Sequence, residues 1–235
     1  MERQLKVLFF DLFFTLIVPK YYAGRNEYDV PGITREEWEI FAEDPVLYSE
    51  RASGKLIDPK KIIDRIADRI KDNRGIVLGD TDRAEILRLR TERMKKALLE
   101  VDADVLDTLK ILKDKQLKLC LISNADVIDT AYWGESALSH IFDTAVFSYE
   151  GGYLKPEPEI YLEALQRMQV KPEQCVFIGD GGSDELKGAK ELGIITVLAG
   201  YFIKRDEEHL TSLREWADYY ITDIGGILSV VDPLI

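Results

Sequence analysis

The chain has 235 residues, 46% of them hydrophobic and 31% charged, with a formal net charge of −12. That length builds one sizeable core, or one core with a smaller module, and the composition is that of an ordinary soluble globular protein. The acidic balance argues against a nucleic-acid partner, whose affinity rests on Lys and Arg neutralising phosphates. Apolar runs such as 7–10 and 175–178 are far too short to span a membrane.

Acidic and basic residues mix from Glu2 onward, and the first apolar run breaks at Asp11, unlike a signal peptide. The expected location is therefore cytoplasmic, and the expected state a monomer or homodimer. Cys120 and Cys175 each fall in an apolar, strand-like run without a CxxC neighbour. Buried reduced thiols are favoured over a disulfide, and zinc has no support. His140 and His209 have no Ser, Cys or metal-ligand pattern around them and read as structural or surface residues.

In chain order, residues 5–12 (LKVLFFDL) read as a strand buried on both faces and ending in an acid. The pattern then turns helical, with helices predicted over 34–43, 45–52, 59–71 and 81–99. Thr34, Asp58 and Asp80 or Thr81 stand near their starts as caps, and Pro31, Pro45 and Pro59 punctuate them. From 104 the rhythm becomes alternating helix and strand. Helix 104–115 leads to strand 117–123; after a short helical stretch comes strand 144–149. Helix 157–168 precedes strand 174–180, and helix 183–192 precedes strand 195–199. A short strand at 219–221 and a last helical turn finish the chain. Strands separated by helices imply a parallel sheet in an α/β fold. The division expected is a sheet domain from 1–16 and 102–235, with an all-helical segment over 17–101.

Four polar signatures follow predicted strands: Asp11 in DLFFTL, Ser123 in ISNAD, Lys155 in GGYLKPEP, and Asp180 with Asp184 in IGDGGSDEL. In a parallel sheet the C-terminal strand ends converge on one edge, where ligands bind at a switch in strand order. Three carboxylates, glycine-rich turns and a lysine there suit a hard cation and an anionic substrate.

These four motifs, in this order, resemble those of the haloacid dehalogenase superfamily. The resemblance covers 7–16 and about 117–200, and matches the intervening helices in position and length only. It implies a Rossmann-like parallel sheet of order 5-4-1-2-3 with a smaller helical cap domain inserted after the first strand. It also implies a hydrolase in which Asp11 forms an aspartyl-phosphate, with Ser123 and Lys155 as the other catalytic groups. Mg²⁺ would be held by Asp11, the Phe13 carbonyl, Asp180 and Asp184, and Thr15, Asn124, Arg25 and Arg51 are the candidate substrate contacts. Of these, Arg25 stands with Tyr21, Tyr22 and Asn26 just after the first motif. All four read equally as substrate contacts or as hinge and packing residues. The partner expected is a small phosphate ester or acyl phosphate.

The sequence departs from the family's phosphatases at one position. They carry a second aspartate two residues after the nucleophile, which protonates the leaving oxygen, and here that position is Phe13. Dehalogenases of the family also lack this acid, because a halide leaves without a proton. The carboxylates of IGDGGSDEL favour a phosphohydrolase acting on a good leaving group. A metal- and phosphate-binding regulatory protein, a 2-haloacid dehalogenase and a phosphonatase using Lys20 or Lys55 are the alternatives.

Overall fold

The computed structural model describes residues 4–235. Six strands form one wholly parallel sheet: β1 (Val7–Phe10), β2 (Lys118–Ser123), β3 (Thr144–Phe147), β4 (Cys175–Gly179), β5 (Ile195–Ala199) and β6 (Tyr219–Ile221). Their order is β3-β2-β1-β4-β5-β6, the expected 5-4-1-2-3 arrangement with a sixth strand added outside β5. After β1 the chain steps outward to β2 and β3, then returns to pair β4 with the other side of β1. That reversal makes the C-terminal end of β1, where Asp11 emerges, the switch point of the sheet.

Eleven helices accompany the strands. Four lie between β1 and β2: α1 (Arg35–Ala42), α2 (Pro45–Ala52), α3 (Pro59–Arg74) and α4 (Asp80–Leu99). The others are α5 (Ala103–Asp114), α6 (Ala137–Ile141), α7 (Ser148–Gly151), α8 (Pro158–Met168), α9 (Glu185–Glu191), α10 (Glu207–Arg214) and α11 (Gly226–Val231).

Alternation along β1 sorts its side chains between two cores, as the two-residue strand period requires. Leu8 and Phe10 pack with α5 and α11 through Val105, Leu109, Ile227 and Val231. Val7 and Phe9 pack on the opposite face with α8 and α9 through Ile160, Tyr161, Leu186 and Ala189. The four inserted helices gather a third core of their own around Trp38, Leu47, Ile62, Ile66, Ile70 and Ile86. Ile62, Ile66 and Ile70 recur every four residues along α3, so one stripe of that helix is buried.

Most boundaries fall within a residue or two of the sequence reading. Thr34 caps α1, accepting from Glu37 N while Glu37 reaches back to Thr34 N. Two elements were not foreseen: α7, whose first two residues fall in the predicted strand 144–149, and α10, which the sequence reading leaves unassigned. The side chains of α10 are nowhere fully buried, so it lacks the apolar stripe by which helices are recognised. Its one local signal is Asp206, which accepts from His209 N at 2.8 Å. Cys120 and Cys175 are free, buried thiols on strands separated by β1, and burial pushes the Cys175 thiol up to about 12. Among the described residues no helix is long and apolar enough to cross a membrane.

Candidate active site

Asp11 leaves the end of β1 with its N–H still donating to Ile178 O of β4, at 2.9 Å, so the sheet ladder fixes where its carboxylate stands. One oxygen, Oδ1, meets Lys155 Nζ; the other accepts from the Thr15 hydroxyl at 3.3 Å. Lys155 Nζ also lies 2.5 Å from Glu185 Oε2. The ammonium is thus held between two buried carboxylates.

Local glycines make the approach of these groups possible. A Cβ on Gly179 would come within 2.0 Å of Glu185 Oε1, so only glycine leaves room for that carboxylate beside β4. A Cβ on Gly188 would sit 2.6 Å from the Pro156 carbonyl, so glycine lets α9 close against the Lys155 loop. Lys155 is positioned further by Asn124. The Asn124 amide donates to Lys155 O at 3.1 Å and accepts from Lys155 N at 2.8 Å.

Asp11, Asp180 and Glu185 are all buried, and one oxygen from each lies within 4.8 Å of the others. Burial raises the Asp11 pKa, with the Asp180 charge adding to it and Lys155 opposing it. Glu185 is pushed up to about 8 by burial and then by the Asp11 charge, again against Lys155. For Lys155 burial works downward, but the Asp11 and Glu185 carboxylates outweigh it and hold the ammonium charged. Three hard oxygen donors gathered so closely in a buried place, two of them, Asp11 and Glu185, pushed toward protonation first by burial and then by neighbouring carboxylate charge, are a donor set that fits a divalent cation such as Mg²⁺. Arg205 supplies a further cation at the edge, donating to Asp180 Oδ2 at 2.6 Å.

The group opens into a cleft of about 1080 Å³ walled on the other side by the inserted helices. Phe13, Tyr21, Tyr48, Arg90, Arg93 and His209 line it with the acidic group. Arg51 and Arg90, both essentially buried, close one end. They pair with Asp126 and Asp129 from the loop after β2, and Arg51 also with Glu43.

The structure brings most of the residues singled out in the sequence to this place, but not all. Asp11, Asn124, Arg51, Lys155 and Asp180 line the cleft, and Phe13 forms part of its wall. Thr15 is buried behind Asp11 and supports that carboxylate without lining the cleft. Ser123, the last residue of β2, is fully buried, and its hydroxyl has no partner among the described residues. Two expectations need correction. Asp184 is exposed, has a left-handed backbone at φ 50°, neither caps α9 nor joins the acidic group, and is replaced there by Glu185. Arg25 lies outside the cleft, 58% exposed and 3.9 Å from Glu85, because the turn at Asn26 directs it to solvent. Asn26 itself is spent on the carbonyls of Tyr22 and Gly24, which settles it as a turn residue.

Glu185, Arg205, Arg90 and Arg93 were missed. For Glu185 a signal existed: it stands one helical turn before Ala189 and beside Leu186, on the face that α9 buries. Arg90 and Arg93 sat in a run of mixed charge that reads as a solvated helix face.

Comparison with known proteins agrees with this geometry. Residues 5–193 match the haloacid dehalogenase-like hydrolases. Glyceraldehyde 3-phosphate phosphatase of Pyrococcus furiosus is 34% identical over 97 residues, 40% of this chain and 39% of that protein. The chain thus aligns with only about two fifths of that relative's length. Among solved structures, a haloacid dehalogenase-family enzyme of Bacteroides thetaiotaomicron, in complex with magnesium and inorganic phosphate, superposes with a TM-score of 0.63 at 23% identity. That match covers 88% of this chain and 98% of that one. L-2-haloacid dehalogenase of Xanthobacter autotrophicus gives 0.65 at 17% identity, over 99% of this chain and all of its own, 100%. At those identities the likeness is one of fold. With the family match running through every motif from Asp11 to Glu185, the chain belongs to the haloacid dehalogenase-like hydrolases.

Proposed function

We propose that this hydrolase is a Mg²⁺-dependent phosphohydrolase acting on a small phosphorylated metabolite with a good leaving group. The observation that carries the reading is the buried trio of Asp11, Asp180 and Glu185 around Lys155 at the sheet switch point. Asp11, Asp180 and Glu185 would hold the cation, with the Phe13 carbonyl as a further oxygen. When bound, Mg²⁺ offsets charge between the Asp11 carboxylate and the phosphoryl oxygens.

The chain's own groups divide the work. Asp11 attacks phosphorus, the leaving oxygen departs with its electron pair, and water later cleaves the aspartyl-phosphate to release phosphate. Thr15, donating to Oδ2, and Lys155, at Oδ1, orient the attacking carboxylate. Lys155 also stabilises the negative charge of the transferring group. Asn124 fixes the Lys155 backbone, and the Ser123 hydroxyl and neighbouring N–H groups serve the phosphoryl oxygens. Residues 17–101 act as a cap over the cleft, excluding water and choosing the substrate. The phosphatase name of the Pyrococcus relative supports a phosphorylated substrate.

The test is turnover of nitrophenyl phosphate, acyl phosphates and alkyl phosphates with Mg²⁺, beside 2-haloacids without it. Wild-type turnover of the activated phosphates, lost by about 10³-fold or more in Asp11→Asn with the circular dichroism unchanged, is expected. Halide release without Mg²⁺ would establish dehalogenation instead. Mg²⁺ and phosphate binding with no turnover of any ester would establish a binding protein, the reading that the proton-free side chain of Phe13 favours.

A further inference from the structure

The cleft is more cationic than the chain that forms it. From the inserted helices and the segment leading to them, Lys20, Arg35, Arg51, Arg90 and Arg93 line it, against Glu39 and Glu43 alone. This stands in a protein of net charge −12, so the basic residues are gathered here against the overall balance.

The arginines on α4 also hold more hydrogen-bond donors than the protein satisfies. Arg90 is 1% exposed and makes both its carboxylate contacts through Nη2, at 3.1 and 3.3 Å. Its Nε and Nη1 are buried without a partner, as is Arg51 Nε beside it. Arg93, one turn along the same helix and also on the cleft, spends Nε on Glu27 at 2.7 Å and Nη1 on the Pro19 carbonyl at 3.2 Å. Its Nη2 takes no partner among the described residues. The Tyr21 ring stacks against both Arg93 and Arg35, at 4.5 and 4.8 Å, which holds these guanidinium planes in place.

Buried polar groups in folded proteins are nearly always paired. A purely structural bridge from α4 to Asp126 and Asp129 needs only Arg90 Nη2 and leaves Arg90 Nε and Nη1 unaccounted for, while the bonds of Arg93 to Glu27 and Pro19 leave its Nη2 open to the cleft. Planar guanidinium forks suit oxyanions above other ligands. We propose that the substrate carries a second anionic group, a carboxylate or phosphate remote from the scissile phosphoryl, and that Arg90 and Arg93 of α4 bind it. The inference rests on the phosphohydrolase reading and adds the substrate class to it: small metabolites charged at both ends.

Isothermal titration of the whole protein with Mg²⁺ tests this without turnover, using a series of ω-carboxyalkylphosphonates of increasing chain length and their uncharged amides. For the best-fitting length the acid is expected to bind about tenfold or more tighter than its amide. Arg93→Gln and Arg90→Gln should each erase most of that ratio while inorganic phosphate still binds. Bisphosphonates in a parallel arm decide between carboxylate and phosphate as the preferred second group. Equal affinity of acid and amide at every length in the wild type, a comparison that needs no variant to fold, overturns the second site and leaves the phosphoryl reading standing. A preference unchanged in both variants overturns the assignment to α4. Failure of every phosphonate and of inorganic phosphate to bind overturns the phosphohydrolase reading, and this inference with it.

Discussion

Two buried charged clusters face the same cleft and are built on opposite principles. At the sheet edge Asp11, Asp180 and Glu185 outnumber Lys155, and Arg205 reaches in only to Asp180. At the side of the inserted helices Arg51 and Arg90 meet Asp126 and Asp129, with Glu43 on Arg51 at the rim. The titrations differ at one carboxylate of each cluster. Glu185 is driven up to about 8, first by burial and then by the Asp11 charge. Asp126, though burial works upward on it, is held low by Arg90 and Arg51, while its neighbour Asp129 is raised by burial and by the Asp126 charge against the same arginines. The first is a crowded set of carboxylates whose donors fit a cation. In the second each buried arginine already meets a buried carboxylate, and the pairs hold two parts of the fold together.

The comparison breaks most severely at Asp126. Replacing it with Ala leaves two buried guanidinium groups with a single buried carboxylate, Asp129, and the half-exposed Glu43 at the rim. A loss of about 3–5 kcal/mol of stability is expected, since uncompensated buried charge is costly. Urea denaturation of wild type and variant measures it, and a loss below about 1 kcal/mol would mean that the arginine–aspartate cluster is not structural.

At the sheet edge the informative position is Phe13. With no acid there, alkyl phosphates should turn over about 10² or more slower than nitrophenyl or acyl phosphates. A plot of rate against leaving-group pKa, with chemistry rate-limiting, checks it. Phe13→Asp should narrow the gap where the new carboxylate reaches the leaving oxygen. A flat plot would place the proton donor elsewhere in the cleft, with Tyr21, Tyr48 and His209 as the first residues to substitute.

Glu185 sharpens the contrast through pH. Its pKa is raised from 4.5 to about 8 in the folded protein, so between those values the native state holds a proton that the unfolded chain has released. That contribution to stability is fully present below 4.5 and is lost as pH rises toward about 8, at a slope of up to about 1.4 kcal/mol per pH unit. Denaturation in the presence of a chelator across this range should show the decline in wild type and a shallower one in Glu185→Gln. Identical slopes would remove Glu185 as the source.

The smallest effect is expected at Arg25. Its pairing with Glu85 at 3.9 Å is solvent-exposed, so Arg25→Ala should change stability by less than about 0.5 kcal/mol and leave KM unaltered. A clear rise in KM would return Arg25 to the substrate.

The sheet edge was legible in the sequence because each of its groups ends an apolar run, and topology does the rest. Asp11 after LKVLFF and Asp180 after VFIG could be placed at a common edge before any contact was known. The error at Asp184 came from a limit of the same logic. Strand ends are sharp in sequence, but which of two adjacent acids turns inward depends on the register of a short helix after a left-handed turn. The arginine–aspartate cluster was hidden for another reason. Asp126 was visible in ISNAD, but its partners Arg51 and Arg90 lie 75 and 36 residues away. Nothing local marks them as partners of Asp126: Arg51 stood out only as a candidate substrate contact, and Arg90 reads like the surface arginines of α3 and α4, such as Arg65 and Arg88.

The loop after β2 has a consequence for how the molecule can be altered. Directly after Ser123 it carries Asn124, which clamps Lys155, and then Asp126 and Asp129, which grip α2 and α4. Ser148 ties the same loop to the insert, accepting from Ala125 N at 3.0 Å and donating to the Ala52 carbonyl at 2.6 Å. The helical insert is therefore not an interchangeable part. A chimera that takes residues 17–101 from a relative must bring that relative's loop and its Ser148 counterpart as well. Otherwise the graft leaves Asp126 and Asp129 without their arginines and slackens the backbone that aims the Lys155 ammonium.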